Sequence, residues 1–194
     1  MSELFNFPSS FVYTEKIANH AQIKSMILKD IISLAENNTN KESDYFKRTG
    51  KYSNSPGSGT YNESMLSILL KYKVENSIIW EPLDRMLKHE KLNISKYPKQ
   101  SVIHSAWYNM YKENSHHRIH SHLGASTFSG IYVLDIEGEN STTFVQDGID
   151  IKAKSYCPKV EEGTVIIFPS DLLHEVPPVK GSKISIAFNI QSSF

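Results

Sequence analysis

Cysteine is almost missing from this 194-residue chain: Cys157 stands alone, which excludes an intramolecular disulfide and suits a reducing compartment. Net charge is missing too. The 21 Lys and Arg balance 21 Asp and Glu, so no global field draws the protein to nucleic acid or anionic membrane. No apolar run approaches the roughly 20 residues that span a bilayer. The start, Met1-Ser2-Glu3-Leu4-Phe5, lacks the charged and apolar regions of a signal peptide. Internal repeats and low-complexity tracts are lacking as well. A soluble, cytoplasmic protein is expected, in one domain (1–194) long enough to bury a core.

Histidine is what the chain concentrates. Five of its eight histidines lie between His104 and His122, most of them in His116-His117-Arg118-Ile119-His120-Ser121-His122. His-x-His on an extended strand puts both rings on one face, because side chains alternate with period two. Taken alone, that pair reads equally well as a solvated, histidine-rich loop. His174 shifts the balance. It follows the apolar strand Val165-Ile166-Ile167-Phe168 and the turn Pro169-Ser170-Asp171, a bend from which a third imidazole can complete a facial metal site.

Residues 5–14 read as an extended lead-in around Pro8. Ile23, Met26, Ile27, Ile31 and Leu34 recur at helical spacing opposite Lys24, Lys29, Asp30 and Glu36. Thr14 or Asn19 would cap that helix and Asn37-Asn38 would end it. Thr39 to Asn62, rich in Asn, Ser, Gly and Lys, reads as a long surface loop, with a mobile lid as the functional alternative. Met65 to Leu70 predicts a second helix. Ile78-Ile79-Trp80 with Leu83, Met86 and Leu87 predicts a third, with Pro82 suited to its first turn.

After Pro98 the texture is β. Val102 to Tyr111, Thr127 to Asp135, Ser141 to Val145, Thr164 to Phe168 and Lys183 to Ile190 are short β-branched and aromatic runs. Turns at Glu137-Gly138-Glu139-Asn140, Asp147-Gly148 and Glu162-Gly163 separate them, with Asp135, Glu137 and Glu139 in a hairpin turn. Helices followed by strands predict an α+β protein. Residues 1–98 would be helical support and loop, and 99–194 an antiparallel sandwich or barrel with the helices on one sheet. On the last strand Lys183, Ser185, Ala187 and Asn189 share a face opposite Ile184, Ile186 and Phe188. A cation inside a small barrel is costly to bury without an anion, and a ligand carboxylate would supply one.

These residues resemble those of Fe(II)/2-oxoglutarate-dependent dioxygenases. The C-terminal signature of that superfamily resembles H-x-V-x-P-V, a short gap, then G-x-[R/K]-x-S. It is matched here by His174, Val176, Pro178, Val179, Gly181, Lys183 and Ser185. Asn109-Met110-Tyr111 resembles the N-x-Y segment ahead of the first metal ligand in nucleic-acid demethylases of the AlkB type, and Tyr111 alone fits the prolyl-hydroxylase version. Phe7-Pro8, Trp107, the His-x-His, Ser129-Gly130-Ile131-Tyr132, Phe168-Pro169-Ser170, His174 and Ile184 to Asn189 together look like a small 2-oxoglutarate/Fe(II) oxygenase family of bacteria and phages.

The resemblance implies a double-stranded β-helix (jelly-roll) core, with His120, His122 and His174 as iron ligands. It implies Lys183, helped by Ser185, as the anchor of the distal 2-oxoglutarate carboxylate, and Asn109 and Tyr111 as hydrogen-bonding partners of the cosubstrate. Fe(II), 2-oxoglutarate and O2 would be the cofactor and cosubstrates. Three protein ligands on one face leave two positions for a 2-oxo-acid chelate and one for dioxygen. Lysine in place of the more usual arginine gives a point-charge contact rather than a fork.

The usual second residue of the motif is a carboxylate, and here it is His122. Three neutral imidazoles leave the metal one unit more positive. The motif then admits a three-histidine iron site, a site completed by another group (His117 first), or an inactive one, and the small family that shares the His-x-His favours the first. His116 and Arg118 read as loop or supporting groups, His104 as structural, His89 as unassigned and Cys157 as a structural thiol. Trp107, Phe128, Ile131, Val133, Ile166 and Phe168 read as core, with Val133 or Ile131 as candidates to line the cosubstrate pocket.

The expected function is oxidative hydroxylation of a small-molecule or protein substrate that the sequence does not name. An AlkB-like nucleic-acid dealkylase is the second reading. Neutral charge weakens it, as do Lys183, Ser185 and Asn189 where that type resembles R-x-N-x-x-x-R; nucleic acid and membrane are not expected partners. A non-catalytic, cupin-like metal-binding module is the third, weakened by Leu123-Gly124-Ala125-Ser126 where a cupin glutamate would follow. A homodimer stays open.

Overall fold

The computed structural model describes residues 2–37, 52–53, 64–92, 97–124, 126–138, 141–148 and 151–194. It begins with a hairpin rather than a single extended lead-in. Strands β1 (Ser2–Asn6) and β2 (Phe11–Lys16) pair antiparallel, and the turn at Pro8 is closed by Phe7 N–H donating to the Ser10 carbonyl at 2.8 Å. Proline has no N–H to give a ladder, so the strand breaks there.

Helix α1 (His20–Asn37) follows, seated by Ile23, Ile27 and Ile31, an i, i+4 stripe that is fully buried. Thr14 lies inside β2 and caps nothing. The Asn19 carbonyl accepts the N–H of Ile23 at 3.1 Å, while its side chain reaches Ser77. Strand β3 (Tyr52–Ser53) and helix α2 (Ser64–Tyr72) come next. The third predicted helix divides in two, a π-helical turn (Asn76–Trp80) and α3 (Glu81–Leu87). Pro82 cannot donate to the carbonyl four residues back, and the backbone widens just before it, with Glu81 N–H reaching Asn76 O.

The remaining strands are β4 (Gln100–Tyr111), β5 (His117–His120), β6 (Phe128–Glu137), β7 (Thr143–Gly148), β8 (Ile151–Tyr156), β9 (Thr164–Pro169), β10 (Leu173–Val176) and β11 (Ser182–Ser193). They form a seven-stranded sheet, β1-β2-β9-β6-β11-β4-β3, and a four-stranded sheet, β5-β10-β7-β8. All the pairings are antiparallel. This is the α+β layout with a double-stranded β-helix that was expected. The helices pack on the outer face of the seven-stranded sheet, where Tyr132, Leu134, Ile184, Ile186, Phe188 and Ile190 meet Ile27, Leu69, Ile79 and Met86 in one buried core. A second core, with Phe7, Val12, Phe144, Ile166, Phe168 and Leu172, fills the space between the sheets.

Alternation along β11 therefore sends its apolar residues to the helices and Lys183, Ser185, Ala187 and Asn189 inward. Asp135 and Glu137 are not turn residues: both belong to β6. The Asp135 carboxylate accepts from Lys24 of α1 at 2.7 Å, tying helix to sheet. The lid candidate at 39–62 lies outside the described residues apart from β3, which pairs Tyr52 with Met110 and Ser53 with Asn109 at the edge of β4. No described helix is long and apolar enough to cross a membrane.

Candidate metal and cosubstrate site

One cavity between the sheets is lined by residues from β4, β5, β6, β9, β10 and β11, and it gathers the sequence-predicted site. His117, His120, His122, His174, Asn109, Tyr111, Lys183 and Ser185 all face it. The ladder explains the gathering. His174 is the register partner of His120 across β10 and β5. Lys183 is the partner of Tyr111, and Ser185 of Asn109, across β11 and β4. Directly opposed residues project to the same side of a sheet.

The ring nitrogens of His120, His122 and His174 approach one another within 4.8 Å. His120 Nδ1 lies 2.8 Å from the Arg118 carbonyl, and His174 Nδ1 lies 2.9 Å from the Leu172 carbonyl. A carbonyl only accepts, so in each ring Nδ1 carries the proton and donates it, leaving the Nε2 lone pair for a metal. His122 arrives differently. Strand β5 ends at His120, so the two rings do not share a strand face as the spacing predicted. His122 sits in the following loop, its backbone N–H donating to the Ser170 carbonyl at 2.7 Å. Its ring stacks on His174 at 5.3 Å between centroids and tilts against Trp107 at 5.8 Å. Burial, and then the neighbouring His120, pull the His122 imidazole down to about 4, so it is neutral at physiological pH, the state a metal requires. His117 stands beside this group, its ring 4.1 Å from that of His120, but is not one of the three.

Lys183 is 1% exposed. Its ammonium lies 5.7 Å from the centre of the Tyr111 ring, and among the described residues no carboxylate is within ion-pair distance of it. Burial pulls its pKa down to about 8. A lysine buried without a counter-charge in a cavity beside three imidazoles fits a dianionic ligand.

Sequence reasoning missed part of the cavity wall. Trp107 and Phe168, taken as core, face the cavity; of the two candidates for its lining, Ile131 lines it, while Val133 is fully buried and does not. Thr142 also lines the cavity, and its hydroxyl is fully buried with no hydrogen-bond partner among the described residues. No motif marks it. Ser129 and Asn189 complete the wall, Ser129 donating to the Asn189 side-chain oxygen at 2.8 Å. His104, expected to be structural, is exposed on β4, where solvent takes the place of any packing partner.

The comparisons agree with this geometry. Residues 105–189 match a family model described as "Putative 2OG-Fe(II) oxygenase", and the matched span contains every predicted site residue. No curated protein matches the chain in sequence. Among solved structures, a 2OG-Fe(II) oxygenase family oxidoreductase from Burkholderia pseudomallei superposes with a TM-score of 0.53 at 13% identity, covering 89% of each chain. A Pseudomonas putida prolyl-4-hydroxylase gives 0.55 at 11%, covering 94% of this chain and 93% of that one. HygX from Streptomyces hygroscopicus, solved with nickel and 2-oxoglutarate bound, gives 0.61 at 11%, covering 94% and 83%. At such identities the superpositions speak for the fold, and the family match speaks for the chemistry. The matched span 105–189 is somewhat less than half of the chain, and over it the barrel resembles that of 2OG-Fe(II) oxygenases.

Proposed function

We propose that this protein is a 2-oxoglutarate-dependent oxygenase that hydroxylates its substrate at an iron held by His120, His122 and His174, with 2-oxoglutarate anchored on Lys183. The observation that carries the reading is the lysine itself. Among the described residues it has no counter-ion, and it is buried in the same cavity as three convergent imidazoles. A barrel that merely stored metal would gain nothing from a buried cation, whose desolvation costs several kcal/mol. The distal carboxylate of the cosubstrate offsets that cost.

The surrounding groups suit the same ligand. Ser185, Asn109, Tyr111 and the unpartnered Thr142 hydroxyl can hydrogen-bond its oxygens, and the Trp107, Ile131 and Phe168 walls exclude water from the reacting end. When bound, iron and 2-oxoglutarate activate dioxygen, with the cosubstrate leaving as succinate and carbon dioxide. The protein's share is placement: neutral imidazoles on one side, a fixed cation on the other. We read the location as cytoplasmic from the single exposed Cys157, and the substrate as a small molecule or a protein rather than a nucleic acid, given zero net charge.

Anaerobic titration of the protein with Fe(II) and 2-oxoglutarate tests the reading. A weak visible absorption band is expected, and its absence would sink the oxygenase assignment. His174→Ala should abolish metal binding. Lys183→Ala should keep the metal and lose the cosubstrate; normal 2-oxoglutarate binding by that variant would remove Lys183 from the site.

A further inference from the structure

We infer that Ser170 is a positioning residue of the metal site, tying the loop that carries His122 to the turn that leads into His174. The inference rests on the reading of His122 as a ligand. The rings of His120 and His174 are each held by their own Nδ1 hydrogen bond to a carbonyl two residues back. His122 has no such bond to its ring among the described residues. Its place is set through the main chain instead.

Ser170 does the setting. Its carbonyl accepts the His122 N–H at 2.7 Å, and its own N–H donates to the Thr127 carbonyl at 3.1 Å. The loop from His122 to Thr127 is therefore pinned at both ends to one residue. The Ser170 hydroxyl adds a third tie, lying 2.7 Å from Ser126 Oγ and 2.9 Å from Ser129 Oγ. The direction of this chain follows from proton counting. Ser129 spends its single proton on the Asn189 side-chain oxygen Oδ1, so it must accept from Ser170, and Ser170 must accept from Ser126. On its other side Ser170 enters a tight turn in which Leu172 N–H donates to the Pro169 carbonyl at 3.0 Å, and the Leu172 carbonyl holds His174.

One residue thus ties the segments that carry both His122 and His174 to a common frame. Ser129, Ser170 and Asn189 are all buried, at 2%, 1% and 4% exposure. Buried hydroxyls joined in a complete chain stiffen what they connect, and a chain broken in the middle strands its other members.

Co(II) serves as the probe, titrated anaerobically into the purified protein and read by its visible ligand-field spectrum and by chelator competition. Ser170→Ala keeps both main-chain ties and removes the hydroxyl that fixes where they sit, so it should weaken Co(II) binding about tenfold, the lower end of what losing support for a metal ligand costs, and should shift the spectrum. Ser170→Thr, which keeps the hydroxyl, should restore both. Ser129→Ala, which cuts the chain one link further out, should weaken binding less. A folded Ser170→Ala protein with wild-type affinity and spectrum overturns the inference. If that variant fails to fold, an unchanged affinity in Ser129→Ala overturns it instead. His122→Ala separates this inference from the one beneath it. If His122→Ala itself binds Co(II) as the wild type does, the ligand assignment falls; if it loses Co(II) while Ser170→Ala does not, only the positioning role falls.

Discussion

Replacing Lys183 by methionine should stabilise the ligand-free protein while destroying its cosubstrate site. Lys183 stands on β11 between its register partners Tyr111 and Ile136, and burial lowers its ammonium from 10.5 to about 8. At 1.36 kcal/mol per pKa unit that is about 3 kcal/mol of unfavourable interaction. The sign follows from proton binding. An unfolded chain keeps this proton up to pH 10.5, the folded one only to about 8, so between those values the unfolded state binds more protons. Stability from this group therefore rises with pH across that window, and below pH 8 the full penalty stands. Methionine has nearly the same length and no charge, and a volume-conserving swap costs less than about 1.5 kcal/mol. At pH 7 the variant should be more stable by about 2–3 kcal/mol, or roughly 4–12 °C in Tm for a chain of this size. The gap should close as pH approaches 10.5. Saturating 2-oxoglutarate with metal should stabilise the wild type by about 2.7 kcal/mol at a hundred times Kd and leave the variant unmoved. Denaturation of both proteins from pH 7 to 10.5 is the assay. A variant that is less stable, by an amount independent of pH, would show that the Lys183 charge carries no burial cost.

Three further outcomes follow from single contacts. The affinity of the metal-loaded protein for 2-oxoglutarate should fall as pH rises through about 8, by up to about tenfold per pH unit, because the neutral lysine must take up a proton to hold the anion; calorimetry giving a flat profile to pH 9.5 would contradict this. Thr142→Val keeps the shape and removes the partnerless hydroxyl, so the ligand-free protein should gain about 1 kcal/mol or stay level while cosubstrate binding weakens about tenfold; unchanged binding would take Thr142 out of the site. Gly130→Ala would place a Cβ 2.1 Å from the Phe188 ring and should cost about 1–3 kcal/mol as overpacking, seen as a lower Tm.

Much of the barrel was legible because its strands announce themselves by alternation. Ile184, Ile186 and Phe188 against Lys183, Ser185 and Ala187 is a period-two pattern that only one sheet face can satisfy, and the structure places the two sets on opposite sides. What was not legible depends on partners remote in sequence. Trp107 reads as core because an aromatic residue on a strand usually is core; its face is set by pairing with Ala187, 80 positions away, whose small side chain leaves the indole room at the cavity. Asp135 looks like part of an acidic turn until Lys24 of α1 arrives beside it. Strands β8 and β10 escaped because Ile-Lys-Ala-Lys-Ser-Tyr is half polar and Leu-His-Glu-Val is only four residues, cut short by Pro177. The His-x-His spacing picked out two residues that do converge with His174, but not by sharing a strand face: His122 reaches the cavity from a loop, held by Ser170.

The histidine at position 122 and the lysine at position 183 belong to one electrostatic balance. Three neutral imidazoles bring no charge to a divalent ion, and Lys183 adds one positive charge below pH 8. With a dianion bound the site sums to about one positive charge, where a carboxylate ligand would have brought it to zero. Such a site attracts the dianion strongly and holds a bare cation weakly, since nothing in it is negative. Two consequences follow. The imidazoles must be held in place by the protein rather than drawn in by charge, which is what the Arg118, Leu172 and Ser170 carbonyls accomplish. Metal and cosubstrate must also reinforce one another, because each supplies the opposite charge the other lacks. Linkage makes that reinforcement reciprocal: whatever factor 2-oxoglutarate adds to metal affinity, the metal must add to 2-oxoglutarate affinity. Paired titrations should return the same factor, and His122→Asp, which puts a carboxylate into the ligand set, should shrink it.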